Sequence, residues 1–389
     1  MAKALSVSVN FLYPGIMLKG DAYTEQGEKV QPGFVPFTDE KIAELKARGI
    51  TTIYYTPHPE PTRFPGSEPI IPQETINKGL EIAKEVERRL KENAPLPVRE
   101  INTLIDEFVE KVVALQGNTL NLAELRDYDD YTYTHSLNVA LLSLLMGKKL
   151  SYTEDQLKIL GVGGMLHDIG KVKIPKEILN KPDRLTPQEF DIMKRHPVYG
   201  FEIVKDTYSR FVQSIVLYHH EKINGSGYPL GKKNNEMGEF AQIASLCDVF
   251  DAITSARSYK PAQPFWYALL CIYREQGKSF SPRLAQIFLK ELPQYFGNTP
   301  IFSKGSFVLL NTGEIAYVPE DSRTLWPQVW LLINSRKEIS QRKVILDLSL
   351  EENRMIERQI FDEKLTATLQ KIVERYLDKP EKPKDWNLK

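Results

Sequence analysis

The spacing of hydrophobic residues along the chain predicts a helical middle region. Between residues 73 and 299, apolar residues recur at helical spacing, first over 75–93 and 98–116 and then in further segments that extend to residue 292. The segment 131–147 is apolar on nearly all sides, which is typical of a buried central helix. A helix predicted over 153–167 carries three glycines that would allow close packing of a neighbour: Gly161, Gly163 and Gly164.

Strand patterns predict a small module at each end of the chain. Residues 1–55 combine a strand that starts near Gly15, a turn at 25–27, a helix over 38–48 and a buried strand over 50–55, which indicates a small α/β module. Six prolines between residues 56 and 72 favour an extended linker. Residues 300–389 carry four short strand patterns and end with a helix over 363–377. The predicted fold class is mainly α, with an all-helical bundle at 73–299, an N-terminal α/β module and a β-rich C-terminal module.

Composition and charge exclude several function classes. The 51 basic residues balance the 51 acidic ones, so net charge gives no argument for a DNA, RNA or membrane-surface binder. No apolar run reaches the roughly 18 residues of a membrane span, and the N-terminus shows no signal-peptide pattern. Two cysteines predict no disulfide framework, which fits a reducing, cytoplasmic setting.

Histidines and aspartates are concentrated in the helical region. Five of the six histidines lie there, interleaved with two aspartates: His135, His167, Asp168, His196, His219, His220 and Asp248. Each position alone has an ordinary structural explanation, such as a hydrogen-bonded pair at a helix end, but their joint presence favours metal binding. Imidazole and carboxylate suit borderline divalent metals. Seven such groups exceed the ligands that one ion takes, so the sequence predicts at least two ions, an arrangement typical of displacement at phosphorus.

Other residues near these ligands could bind an anionic substrate. Lys171 follows Asp168 by three positions and would bring a cation to the site, while Arg257 and Lys260 could clamp a phosphate. The glycine-rich segment 224–229 ends in Tyr228 and Pro229, and it could cover a ligand and stack a ring on a base. Without a neighbouring metal cluster, it would be a plain surface turn.

These motifs, in this order, resemble the HD-GYP family of cyclic di-nucleotide phosphodiesterases, a branch of the HD phosphohydrolase superfamily. The matching segments are THSLNVA (134–140), HDIGKVKIP (167–175), KRHPVYG (194–200), HHEKINGSGYP (219–229) and DVFDAITSARSYKPA (248–262). The resemblance implies that the seven histidines and aspartates are metal ligands and that Asp168 bridges two ions, iron or manganese. It also implies that Lys171, Arg257 and Lys260 contact substrate phosphates and that Tyr228 lines the pocket, with Asp168 and Lys171 as the catalytic pair.

Two departures from the family pattern affect these expectations. Members that bind three metals carry a glutamate where this chain has Tyr131, so two ions are expected here. The usual S-D-R-P-Y run reads Ser255-Ala256-Arg257-Ser258-Tyr259, which retains the arginine but lacks the acid and the proline.

The expected function is metal-dependent hydrolysis of cyclic di-GMP or a related cyclic dinucleotide to the linear dinucleotide by a hydroxide that bridges the two ions, with a second cut to GMP left open. Two alternatives stay open: a cyclic-dinucleotide-binding signalling module with little turnover, and an HD phosphohydrolase for another nucleotide. Pairing of two chains through the exposed helix at 75–93 also stays open.

Overall fold

The structure is a computed structural model that describes residues 5–12, 18, 21–31, 37–55, 71–115, 131–181, 185–255, 265–295, 300–351, 353–360 and 363–377. The chain divides into two compact units. One combines residues 1–57 with 300–389, and the other comprises residues 58–299.

The described residues of the N-terminal region form a four-stranded antiparallel sheet and one α-helix. Numbered along the chain, the strands lie in the order first, fourth, second, third. Thr38 starts the helix because its hydroxyl accepts a hydrogen bond from the Lys41 backbone N–H, which would otherwise lack a partner in the first turn. Phe37, Leu45 and Ile53 are fully buried in the core. The elements are β1 (Leu5–Ser8), β2 (Ala22–Tyr23), β3 (Lys29–Gln31), α1 (Asp39–Ala47) and β4 (Thr52–Tyr55).

The predicted helix, turn and last strand of this region are confirmed, whereas β1 was not predicted. The strand predicted to start near Gly15 lies in residues 13–17, outside the described part of the chain.

The C-terminal region contains a five-stranded antiparallel sheet. Numbered along this region, its strands lie in the order fourth, third, second, first, fifth. Its core consists of inward residues of the sheet, such as Leu332, with Leu369 and Val373 of the last helix. The predicted turn at 311–313 joins the first two strands, and Gly313 supplies its positive φ of 80°. The elements are β5 (Phe307–Leu310), β6 (Ile315–Tyr317), β7 (Gln328–Ile333), β8 (Ile339–Asp347), β9 (Ile356–Ile360) and α13 (Glu363–Leu377).

The helical unit contains eleven described helices and, as predicted, no sheet strand among its described residues. Hydrophobic periodicity gave their positions to within a few residues. The four-residue helix Lys176–Leu179 was not predicted, and the helix predicted to start at Tyr199 begins three residues earlier, at His196. The helices are α2 (Gln73–Lys91), α3 (Val98–Ala114), α4 (Tyr131–Lys149), α5 (Glu154–Leu166), α6 (Lys176–Leu179), α7 (Pro187–Met193), α8 (His196–Val204), α9 (Arg210–Tyr218), α10 (Glu239–Thr254), α11 (Phe265–Glu275) and α12 (Pro282–Glu291).

Helix α4 forms the centre of this unit because it is buried from Leu137 to Met146. Helix α5 packs against it through glycines, as predicted. A Cβ added at Gly164 would lie 2.9 Å from the Ala140 Cα, and one at Gly163 would lie 2.3 Å from the Ile215 side chain of α9. Close backbone contact therefore brings α4, α5 and α9 together, and it fixes the positions of the side chains at their ends.

The predicted fold class is confirmed: the chain is mainly helical, with small antiparallel sheets in its N- and C-terminal regions. Among the described residues, no helix has both the length and the apolar character required to cross a membrane.

Candidate metal centre

All seven predicted ligand side chains converge in the helical unit. His135 lies near the start of α4, His167 and Asp168 directly follow α5, and His196 begins α8. His219 and His220 directly follow α9, and Asp248 lies in the middle of α10. Six of the seven residues are buried, and His220 is partly buried. Helix ends and a helix centre that are distant in the sequence therefore form one polar cluster inside an apolar bundle.

Asp168 lies at the centre of this cluster, and its two carboxylate oxygens face different histidines. Oδ1 is 3.2 Å from His196 Nε2 and 3.7 Å from His219 Nε2. Oδ2 is 3.2 Å from His167 Nε2 and 3.6 Å from His135 Nε2. The potential ligand atoms thus form two groups that share Asp168: one with His135 and His167, the other with His196, His219 and His220.

Backbone hydrogen bonds fix the tautomer of three histidines. Nδ1 of His167 donates to the Gly164 carbonyl at 2.7 Å, Nδ1 of His196 to Met193 at 2.9 Å, and Nδ1 of His219 to Val216 at 2.9 Å. A carbonyl can only accept, so the proton of each neutral ring is on Nδ1. The Nε2 lone pairs therefore point into the cluster, as in metal-bound histidines.

The resulting arrangement of lone pairs fits a cation. Nε2 of His196 and Nε2 of His219 are 3.2 Å apart, and with both protons on Nδ1 neither atom can donate to the other. Among the described residues, His167 Nε2 and Asp168 Oδ1 are buried without a hydrogen-bond partner. Buried lone pairs that face each other are unfavourable unless a positive ion lies between them. The donor set therefore suits divalent metal ions.

His135 is oriented by a second carboxylate that the sequence analysis did not assign. Its Nδ1 lies 2.7 Å from Asp251 Oδ2, and Asp251 also accepts a hydrogen bond from Asn138 Nδ2 at 2.7 Å. Its Nε2 lies 3.2 Å from Asp248 Oδ1. Carboxylates that bind the far nitrogen of a metal-binding histidine commonly fix its orientation.

The two ends of the cluster differ in charge. Burial acts to lower the pKa of His135, but its hydrogen bonds to Asp248 and Asp251 raise that pKa to about 9. Burial lowers the pKa of His219 to about 4. Without a metal ion at neutral pH, His135 therefore carries a proton between carboxylates, whereas His219 is neutral.

Asp168 remains ionised although it is buried. Burial acts to raise the pKa of its carboxyl, but the Lys171 ammonium holds that pKa well below its usual range. Lys171 Nζ lies 2.5 Å from Asp168 Oδ2, and its side chain is still 28% exposed. A cation therefore lies between the cluster and solvent, where it can meet an anionic substrate.

Gly170 allows the chain to approach α8. A Cβ at this position would lie 1.9 Å from the His196 carbonyl oxygen and 2.5 Å from the Gly200 backbone nitrogen. Any side chain here would push the turn that carries Asp168 away from the start of α8. The glycine is therefore required for the contact between two parts of the cluster.

Glu221 fixes the loop that carries Tyr228. Its buried carboxylate accepts hydrogen bonds from the backbone N–H of Leu230 at 2.6 Å and of Lys232 at 2.9 Å. Gly227 lies so close to the start of this loop that an added Cβ would be 2.4 Å from the Glu221 Cα. A buried acceptor and a glycine contact thus fold the loop back onto the segment that follows α9.

The folded loop stacks Tyr228 on the histidine cluster. The Tyr228 ring lies 4.7 Å from the His220 ring at an interplanar angle of 31°, and it meets the Phe190 ring edge-on at 6.2 Å. The predicted position of Tyr228 beside the cluster therefore agrees with its geometry.

Predictions for three residues concern side chains that the structure does not describe. Arg257 and Lys260 belong to residues 256–264, and the side chain of Tyr131 is also not described. Their expected roles stay predictions.

The comparisons with known proteins agree with this geometry. Residues 113–284 match the family model of the HD domain. A cyclic di-GMP phosphodiesterase of Pseudomonas aeruginosa is 34% identical over 63% of this chain and 58% of its own length. A cyclic di-GMP phosphodiesterase response regulator of Xanthomonas campestris pv. campestris is 40% identical over 38% of this chain and 39% of its length.

A third relative is named for a different substrate. A 3'3'-cGAMP-specific phosphodiesterase of Vibrio cholerae is 32% identical over 54% of this chain and 41% of its length. The chain thus spans between 39% and 58% of the length of these three relatives. HD-domain phosphohydrolases are metal-dependent, and the cluster described above could hold metal ions.

Proposed function

We propose that the helical unit of this chain is an HD domain of the HD-GYP type and that the protein is a metal-dependent cyclic dinucleotide phosphodiesterase. Its expected reaction is hydrolysis of cyclic di-GMP to the linear dinucleotide, and further to GMP. The observation that carries the proposal is the pair of buried ligand groups that share Asp168.

Two divalent ions, iron or manganese, are the proposed cofactors. The ligands of one would be His135, His167 and Asp168, with Asp248 next to them, and those of the other Asp168, His196, His219 and His220. When bound, such a pair supplies an activated water and Lewis-acid stabilisation of charge on phosphorus. The mixture of imidazole and carboxylate ligands suits iron and manganese.

The surrounding residues would bind and orient the substrate. Lys171, next to Asp168 and partly exposed, would neutralise a phosphate oxygen. Tyr228 would line the pocket beside His220. Arg257 and Lys260 are proposed to bind the second phosphate, since a cyclic dinucleotide carries two. In this mechanism Asp168 and Lys171 are the catalytic pair.

The relatives support a cyclic dinucleotide but differ in the base. Two of the three named above are cyclic di-GMP phosphodiesterases, and the third acts on 3'3'-cGAMP. A mixed cyclic dinucleotide is therefore the second candidate substrate.

The setting of the enzyme is also a proposal. Its two free cysteines, Cys247 and Cys271, fit a reducing cytoplasm. Residues 1–55 and 300–389 would be modules joined to the catalytic region 73–299, the first of them through a linker over 56–72. Light scattering would measure whether two chains pair, for which the exposed face of α2 is the candidate surface.

Hydrolysis of cyclic di-GMP by anaerobically prepared, iron- or manganese-loaded protein tests the proposal. We expect linear dinucleotide with the parent and none with Asp168→Ala, because that change removes the carboxylate shared by both ligand groups. Asp155→Ala is the matched control, since Asp155 is an exposed carboxylate in the first turn of α5. Equal rates for the parent and Asp168→Ala would refute the mechanism. Tight binding without product would instead indicate a signalling module, and turnover of another nucleotide a different phosphohydrolase.

A further inference from the structure

A row of aromatic rings leads from the ligand cluster to the surface of the helical unit. The rings of His219 and His220 are 4.2 Å apart, His220 and Tyr228 are 4.7 Å apart, and Tyr228 and Phe190 are 6.2 Å apart. The first of these residues is fully buried, whereas Phe190 is 46% exposed. The row therefore ends in an aromatic side chain that is half open to solvent.

We propose that Phe190 forms a nucleobase subsite, in which its exposed ring surface stacks on one base of the substrate while the phosphodiester lies at the histidine and aspartate cluster. The inference rests on the proposed function and adds a residue to it. Every nucleobase has a flat π-face, and stacking on protein aromatic rings is the usual way in which unpaired bases are bound.

The distances suit this arrangement. Only Tyr228 separates Phe190 from His220, so the exposed ring lies two ring-to-ring steps from the cluster. In a nucleotide, one ribose joins the base to its phosphate. A base whose phosphate lies beside His220 can therefore extend in the direction of the exposed Phe190 ring.

Local hydrogen bonds and an ion pair hold the start of helix α7, which carries Phe190. Helix α7 begins with a capping box in which Thr186 and Glu189 exchange hydrogen bonds. Glu189 also pairs with Lys181 Nζ at 2.7 Å. Lys194 Nζ lies 5.3 Å from the Phe190 ring centroid, within the range of a cation–π contact. A ring held on a capped helix loses little freedom when a base stacks on it, which favours binding.

The test compares cyclic di-GMP with a base-free analogue, a cyclic bis-phosphodiester in which 1-deoxyribose replaces each nucleoside. For Phe190→Ala, we expect the ratio of kcat/KM on cyclic di-GMP to kcat/KM on the analogue to fall by about 5- to 150-fold relative to the parent, the range for loss of one base stack. Most of the loss should be a rise in KM, and Phe190→Trp should retain the parent ratio.

Phe211→Ala is the matched control, because Phe211 is a phenylalanine of similar exposure (44%) on α9 that contacts Phe240 and Arg210. Its ratio should equal that of the parent. An unchanged ratio in Phe190→Ala, while the parent hydrolyses cyclic di-GMP, would overturn the subsite and leave the proposed function intact. A change of oligomeric state in Phe190→Ala, measured by light scattering, would also overturn it, because the ring would then cover a partner chain. If the parent hydrolyses neither compound, the proposed function itself fails.

Discussion

Replacement of Glu221 by glutamine tests how the loop that carries Tyr228 is held. The substitution keeps the size of the side chain but replaces one of its two oxygens with an NH2 group. Both oxygens are used in the structure, one by the Leu230 N–H and the other by the Lys232 N–H. Glutamine can accept only one of these bonds, and its NH2 group then faces the other donor.

The expected loss of free energy follows from the number of hydrogen bonds that glutamine cannot accept. A hydrogen bond to a charged acceptor contributes about 1.5–3 kcal/mol, and its loss leaves a partly buried N–H without an acceptor. If this free energy is lost from the closed loop, the population of the open loop rises by about 10- to 150-fold. Amide hydrogen exchange measures this directly, since the protection of Leu230 and Lys232 should fall by the same factor.

The control is Glu236→Gln. Glu236 is an exposed carboxylate in the same segment, and it accepts a backbone hydrogen bond from Lys233 at 2.8 Å. Because water can replace this bond, we expect exchange at Leu230 and Lys232 to stay within about threefold of the parent. Equal protection of the two amides in Glu221→Gln and in the parent would refute the assignment of Glu221 as the residue that holds the loop.

Three further predictions concern the cluster itself. Asp251→Asn should weaken Mn²⁺ binding by about 10- to 100-fold, because His135 loses the carboxylate that orients its ring; unchanged affinity in a titration would contradict this. Gly170→Ala should lower the free energy of unfolding, measured in urea, by about 1–3 kcal/mol, because the Cβ of the alanine would overlap the His196 carbonyl oxygen. A loss below about 0.5 kcal/mol would contradict the described contact. Mn²⁺ affinity should rise by up to about tenfold per pH unit between pH 7 and the His135 pKa of about 9, because metal binding must expel the proton of His135. His219, with a pKa of about 4, is already neutral in this range and releases no proton. Calorimetry in two buffers would show the released proton, and an affinity that does not change with pH would contradict the prediction.

The convergence of these seven side chains could be predicted from the sequence because histidine is rare in this chain and its concentration in one region needs few structural assumptions. Asp168, Asp248 and the five histidines lie together in the structure, and Lys171 contacts Asp168. The helices that position them were also predictable, since a buried face repeats with a period of 3.6 residues over long segments.

The supporting residues were not predictable in the same way. Asp251 orients His135 across more than 110 positions of sequence, which requires α10 to lie against α4. Its position one helical turn after Asp248 in an apolar helix is the signal that could have indicated it. Glu221 follows two histidines directly, but its partners are backbone N–H groups, and these leave no pattern in the sequence.

Strand limits were also difficult to predict. Strand β8 begins at Ile339, four residues before the start at Lys343 that the sequence pattern predicts, because its residues show no clear alternation of burial. Its extent is set by pairing with β7 rather than by its own pattern. Strands β1 and β9, of four and five residues, were not predicted, and their places in the sheets are set by pairing with β4 and β5.

Elemental analysis of anaerobically purified, metal-replete protein tests the central claim most directly. If two buried ligand groups share Asp168, the parent should hold two iron or manganese ions per chain, and Asp168→Ala should lose both. A parent protein with one ion or none, or an Asp168→Ala variant that keeps two, would contradict a paired metal centre in this fold.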